Sequence, residues 1–247
     1  MHIYTENLGH INFRNLEKSA FPDLNEPAIC LINTDLYTLE EVTSFQKLLS
    51  RQEQEKAVRF RFVQDQRRYI VTHGMLRNIL GNYLKSAPAE IEFSSNEYGK
   101  PALSGEIRKI HFNLSHSSGI SAMMFSATSE IGIDIEKMDP KFNFKLISEA
   151  YFSRAENNFL DMNPVEACER FYTIWTRKEA LLKALGTGIG ENLEIEVFRE
   201  VNPFNSELFG SKILPVSYHL SSFSYQVNYL ITIAEKYSEE FNTFIYN

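Results

Sequence analysis

The chain has 247 residues, 43% hydrophobic and 23% charged, with 25 Lys and Arg against 32 Asp and Glu for a net charge of −7. That composition excludes collagen, coiled coil and a disordered polyanion, and the length suits one large domain or two modest ones, with a core that needs no disulfide or metal staple. Two isolated cysteines point to a reducing cytoplasm; no apolar run approaches the ~18 residues of a membrane span, the opening MHIYTENLGH lacks the basic and apolar regions expected of a secretory signal, and the acidic balance argues against general nucleic-acid binding.

In chain order, PAICLIN (27–33) reads as a buried strand, a short apolar run closed by an Asn-Thr-Asp turn. Residues 39–49 and 52–62 read as helices. Residues 65–85 form a stronger one, with Ile70, Val71, Leu76, Ile79, Leu80 and Leu84 recurring at steps of three and four and Pro88 just beyond its end. This region is basic: residues 47–77 hold eight Lys and Arg against three Asp and Glu. SNEYGKP (95–101) is turn chemistry, and residues 110–128 read as two strands around a Ser-Gly turn at 117–119. IGIDIEKM (131–138) alternates almost perfectly and reads as a strand. Residues 144–162 read as one or two short helices, and 165–185 as a long helix that ends at Gly186. Strands are expected over 194–200, 212–220 and 224–235. Helices and antiparallel strands mix in each half with no βαβ series, so the fold class is α+β. A boundary near 126–130 divides the chain into an N-terminal half, 1–126, and a C-terminal half, 127–247. The first carries 14 basic and 14 acidic side chains, the second 11 and 18.

Several residues carry chemistry. Asp134 and Glu136, two apart on a strand, send both carboxylates from one face about 7 Å apart. Taken alone, such a pair is usually a solvated strand face; held near a cation, it suits Mg²⁺ or Mn²⁺. Trp175, Glu179 and Lys183 recur every four residues on the long helix, so a third carboxylate and an ammonium project from adjacent turns. The bland alternative is an ordinary Glu-to-Lys surface pair. Lys100 stands in the Gly99-Lys100-Pro101 turn. Asn113, Ser115 and His116 follow a strand and precede a Ser-Ser-Gly turn whose amides suit an anion; a polar turn is the plainer reading. The glycines at 186, 188 and 190 follow a helix instead of opening one, so they form no phosphate-binding P-loop.

Four segments, in order, resemble the signature of one enzyme family: GKP (99–101), FNLSHSSG (112–119), IGIDIEK (131–137) and WTRKEALLKALGTG (175–188). They are similar to those of 4′-phosphopantetheinyl transferases, in the larger, pseudo-dimeric, Sfp-like type that activates nonribosomal peptide synthetases. RFVQDQRRYIVTHGMLR (61–77) resembles the same class, and the likeness covers roughly 55–190.

The resemblance implies a fold of two similar α+β halves with the active site in the cleft between them. It implies transfer of the 4′-phosphopantetheine arm of coenzyme A to a serine of an apo acyl or peptidyl carrier protein, with release of adenosine 3′,5′-bisphosphate. By position it assigns Asp134, Glu136 and Glu179 to the metal, Mg²⁺ or Mn²⁺. Glu179 is also the candidate general base. Lys183 and His116 face the reacting phosphates. Ser115, His116, Asn113 and Lys100 are expected at coenzyme A, and Lys56 and Arg68 at its 3′-phosphate, with Arg59 and Arg77 in reserve. A monomer in the cytoplasm is expected, since one chain supplies both halves, with neither nucleic acid nor membrane as partner. Two rivals belong to other classes. A Mg²⁺-dependent pyrophosphatase acting on coenzyme A-like nucleotides would cleave without a carrier. A silent coenzyme A- or carrier-binding protein would have lost Asp134, Glu179 or Lys183, and all three are intact.

Overall fold

The computed structural model describes residues 2–7, 10–15, 24, 27–105, 110–188, 195–197, 207–209 and 218–236. The chain divides into two units, each of mixed helix and sheet, as expected for α+β. One comprises Met1–Ser95, Pro101–His111 and His116–Thr128; the other comprises Asn96–Lys100, Phe112–Ser115 and Ser129–Asn247.

The first unit is built on a five-stranded sheet of order β2-β1-β3-β7-β6: β1 His2–Asn7, β2 His10–Asn15, β3 Ala28–Asn33, β6 His111–Ser117 and β7 Ile120–Ser126. The strands β1 and β2 were not anticipated. β3 and β7 pair antiparallel and are buried on both faces. That explains why PAICLIN reads as a continuous apolar run without alternation. Helices α1 (Leu39–Gln46), α2 (Arg51–Ala57) and α3 (Val63–Leu84) follow β3. Two begin with a capping box, Thr38 with Glu41 and Ser50 with Glu53, where hydroxyl and carboxylate satisfy each other's free backbone amides. Those boxes fix the helix starts. The second helix stops at Ala57, short of the expected 62, and α3 starts afresh at Val63. Along α3, Ile70, Leu76, Ile79 and Leu80 are buried, and Thr72 meets Ser121 of β7 at 2.6 Å. The turn read over 95–101 is the loop of a small hairpin, β4 (Phe93–Ser95) with β5 (Pro101–Leu103).

The second unit carries a four-stranded antiparallel sheet of order β8-β11-β10-β9: β8 Ile131–Lys137, β9 Glu207–Phe209, β10 Tyr218–Tyr225 and β11 Tyr229–Lys236. The strand expected over 224–235 is in fact broken by a turn at 226–228, where Gln226 takes a φ of 51°. The result is a tight hairpin in place of one long strand. Residues 195–197 of the strand expected at 194–200 are not extended ladder, and 194 and 198–200 lie outside the described residues, as do 212–217. Helices α4 (Lys145–Tyr151), α5 (Arg154–Asp161) and α6 (Ala167–Leu185) complete the unit. α6 packs on β8, β11 and β10, and its core joins Phe171, Ile174, Leu181 and Ala184 to Leu220, Leu230 and Ala234. As expected, α6 ends at Gly186, whose φ of 72° only a residue without a side chain adopts freely. No described helix is long and apolar enough to cross a membrane.

Candidate active site

The site starts from the alternation of β8. Gly132, Asp134 and Glu136 share one face, and α6 covers that face. A Cβ at Gly132 would fall against the Ala180 carbonyl and the Ala184 amide of α6, so the missing side chain lets helix and strand backbones touch. Small Ala234 stands opposite Gly132 on β11. One step along, Asp134 stands opposite Thr232, and a buried polar seam crosses the interface. Thr176 of α6 meets Thr232 at 2.7 Å, Thr232 meets Ser222 at 2.9 Å, and Arg177 Nε donates to Ser222 at 3.1 Å.

This contact sets the helix register. Counting from Thr176, Glu179 and Lys183 lie three and seven residues on, the same face at successive turns. The Lys183 ammonium donates to Asp134 Oδ1 at 2.6 Å and to the Ser115 hydroxyl at 2.9 Å; the same hydroxyl donates to Asp134 Oδ1 at 2.8 Å. Asp134 is 3% exposed. Its other oxygen, Oδ2, is buried without a hydrogen-bond partner, a state that buried polar atoms rarely keep unless a ligand completes them. Glu179 is buried too. Burial pushes its carboxyl up to about 7; the Lys183 charge opposes this, and the charges of Asp134 and Glu136 add to it.

Hard carboxylate oxygens, one of them orphaned, fit a hard divalent cation. Among the described residues, however, no group of three His, Cys, Asp or Glu side chains is gathered tightly enough to hold one outright. The Lys183 ammonium is paired with Asp134 Oδ1 at 2.6 Å.

Comparison with known proteins decides what this arrangement belongs to. Residues 130–234 match the profile of the 4′-phosphopantetheinyl transferase superfamily, and residues 38–128 match that of the 4′-phosphopantetheinyl transferase N-terminal region. The chain is 37% identical over 152 residues to the 4′-phosphopantetheinyl transferase HetI of a Nostoc species, covering 60% of this chain and 64% of that one. It is 33% identical over 172 residues to a putative 4′-phosphopantetheinyl transferase of a Synechocystis species, covering 69% of each. Against the 4′-phosphopantetheinyl transferase Sfp of Bacillus subtilis it is 31% identical over 156 residues, covering 63% of this chain and 68% of Sfp. The chain belongs to the 4′-phosphopantetheinyl transferase family. The alignment with HetI spans just under two thirds of that relative's length.

In this chain the other expected site residues fall as follows. Ser115 and His116 are neighbours on β6, so they point to opposite faces: Ser115 is buried on Asp134, and His116 is exposed. Asn113 Oδ1 accepts the Ile133 amide at 2.9 Å. It thereby occupies an amide on the edge of β8 away from β11 and holds the strand that carries Asp134. The Lys100 ammonium donates to the Ala184 carbonyl at 2.9 Å and lies 3.4 Å from the Ile131 carbonyl. Burial lowers its pKa, against the raising influence of Glu130.

In the first unit, exposed Lys56 lies over the Tyr69 ring at 5.4 Å. Arg68 grips Asp35 with two nitrogens, at 3.0 and 2.8 Å. Arg77, a reserve for the 3′-phosphate by resemblance, serves the interior. It is 1% exposed, it pairs with Glu53 at 2.7 Å, and it donates to the carbonyls of Pro88 and Ile91. Sequence reasoning missed Gly132, Asn96 and Asp35. For Gly132 the available signal was a glycine on the polar face of an otherwise regular strand; for Asn96 it was an Asn opening a turn. Asp35 had no signal, because its partner Arg68 is 33 residues away.

Proposed function

We propose that this chain transfers the 4′-phosphopantetheine arm of coenzyme A to a serine of an apo acyl or peptidyl carrier protein and releases adenosine 3′,5′-bisphosphate. The observation that carries the reading is the Lys183–Asp134–Ser115 knot beside a buried Glu179 of raised pKa, in a chain of this family. Asp134, Glu136 and Glu179 would hold Mg²⁺ or Mn²⁺, which when bound supplies positive charge to the pyrophosphate.

The chain's own groups do the rest. The carrier serine gives its proton to Glu179, directly or through one water. The serine oxygen bonds to the phosphorus that bears pantetheine. The bond from that phosphorus to the bridging oxygen breaks, and the bisphosphate leaves with the electron pair. Lys183 and His116 offset the charge that builds there, and Ser115 steadies Lys183. Lys56 and Arg68 take the 3′-phosphate, Arg68 by exchanging its Asp35 partner for phosphate.

The proposal includes two pseudo-symmetric halves with the reaction in their cleft, a monomer and a cytoplasmic setting. One feature supports the symmetry: each unit has a Ser-x-x-Glu capping box whose Glu also pairs with a buried base on a long helix, Glu53 with Arg77 and Glu156 with Lys178.

Intact-mass analysis of several apo carrier proteins, incubated with the chain, coenzyme A and Mg²⁺, tests the proposal. A gain of one phosphopantetheine on at least one carrier is expected. Folded protein that binds coenzyme A yet modifies no carrier would refute it, and cleavage of coenzyme A without a carrier would favour a pyrophosphatase. Asp134→Ala and Glu179→Gln should each lower kcat by roughly 10²-fold or more, the scale of a lost charge-stabilising group or base.

A further inference from the structure

The Gly-Lys-Pro turn resembles a phosphate-facing element, but its lysine has other partners here. The turn Asn96–Lys100 is built around Asn96. The Asn96 carboxamide oxygen accepts the amides of Tyr98 and Lys100, at 3.0 and 2.9 Å. Its carboxamide nitrogen reaches out of the turn and donates to the Gly186 carbonyl at 2.7 Å. Gly99 takes a φ of 84°, which closes the loop. The turn is thus fastened to the residue that ends α6. A Cβ at Gly186 would meet Asn96 at 3.0 Å and the Lys100 stem at 3.2 Å, so the turn lies directly on the helix end.

From that seat the Lys100 ammonium donates to the Ala184 carbonyl, in the last turn of α6. The last four carbonyls of a helix lack an intrahelical donor and carry its negative dipole end, so a cation there is favoured. The same ammonium lies 3.4 Å from the carbonyl of Ile131, the first residue of β8. One nitrogen therefore bridges the two elements of the site. Ala184 follows Lys183 directly, and Ile131 is three residues ahead of Asp134.

We infer that Lys100 is a positioning residue for the transfer: its ammonium clamps the C-terminal end of α6 to the start of β8 and so holds Lys183 and Glu179 in register with Asp134. The inference rests on the transfer reaction proposed above. It assigns to the chain's own helix end a cation that the resemblance assigns to coenzyme A.

A phosphate ligand and a clamp differ in what they change. Transfer is measured with coenzyme A and with 3′-dephospho-coenzyme A for wild type, Lys100→Met and Lys100→Arg. Lys100→Met should lower kcat by about tenfold to a hundredfold, the cost of slightly misplaced catalytic groups. KM for coenzyme A, and the preference for it over the dephospho form, should stay within about threefold of wild type. Lys100→Arg, which keeps two donors, should recover most of the lost kcat. A rise of about tenfold or more in KM at unchanged kcat, or loss of the preference for coenzyme A, would overturn the inference by showing a phosphate contact. If Lys100→Met does not fold, Lys100→Gln keeps one donor and is read in the same way. A second arm needs no turnover. The amides of Gly186 and Thr187 bond to the Leu182 carbonyl, and their hydrogen exchange should quicken by about tenfold in Lys100→Met. Unchanged exchange would overturn the clamp. Wild-type protein that modifies no carrier would sink the transfer reading, and the exchange arm would still decide the clamp.

Discussion

Glu53 shows how much one side chain can carry. It closes the capping box of α2, takes the buried guanidinium of Arg77, and lies 3.4 Å from His73. Burial alone would raise its pKa, but the hydrogen bonds from His73, the Ser50 amide and Arg77 outweigh it and bring the carboxyl down to about 2. The folded state therefore favours the ionised form. That stabilisation is complete above the unfolded pKa, about 4.5, and is lost as pH falls towards about 2. Glu53→Gln should cost about 3 kcal/mol at pH 7, because it leaves Arg77 buried and unpaired. Urea titrations should show the gap to wild type closing as pH falls from about 4.5 towards about 2, where unfolded wild type binds a proton that the folded form does not; a gap independent of pH would count against this account. The roles of charged residues were only partly legible in the sequence. The spacing from Glu179 to Lys183 marked a shared helix face, yet nothing local distinguished Arg77, which is buried, from Arg68, which reaches Asp35 at the surface. Segment periodicity does not say which cation meets an internal carboxylate.

The element that organises the second unit is α6. Gly132 lets its backbone rest on β8, and the helix face of Thr176, Glu179 and Lys183 then falls onto Thr232 and Asp134. Gly132→Ala should push the helix outward, at a cost of about 3 kcal/mol, and should lower kcat with little change in KM for coenzyme A. A variant of wild-type stability and activity would refute the contact. On the far side of the same helix, fully buried Lys178 pairs with Glu156 at 2.9 Å and donates to the Ile195 carbonyl, while the Val197 amide donates to Glu156. This ion pair ties residues 195–197 to α5 and α6. Lys178→Met should destabilise by about 3–5 kcal/mol by stranding a buried carboxylate. Adding Glu156→Gln, which keeps an acceptor for Val197, should recover about 1–2 kcal/mol of that in a double-mutant cycle. Two lone losses that simply add would argue against the pair. The helix itself was legible from its period and its stop at Gly186. The strand β8 was legible too, although its carboxylate pair taken alone reads as a solvated face. Both faces are buried as far as Ile135, because the helix covers the carboxylate side.

At the scale of the whole molecule, the net charge of −7 sets how partners approach. In the proposed reaction a strongly anionic cofactor would have to be met by local cations, since the bulk charge repels it. If carrier proteins are acidic around the modified serine, docking has to rest on apolar contact with a thin basic rim. Phe142, Leu146 and Tyr151 stand exposed around α4, with Lys141 and Lys145 beside them in sequence. KM for an apo carrier should therefore change less than about threefold between 50 and 300 mM salt, since little counterion attraction is there to be screened; a steep loss with salt would show charge-driven docking instead.

The sequence by itself determined what depends on near neighbours: the alternation that puts Asp134 and Glu136 on one strand face, the period that aligns Glu179 with Lys183, the glycine that ends α6, and the ordered segments that mark the family. Tertiary structure alone decided which surface each face meets. It laid α6 over the carboxylates at Gly132, set Lys183 on Asp134, turned Ser115 inward and His116 outward, and gave the Lys100 ammonium to a helix end. Periodicity states which side chains share a face. What covers that face depends on residues tens of positions away, brought there by packing and by the need of every buried charge for a partner.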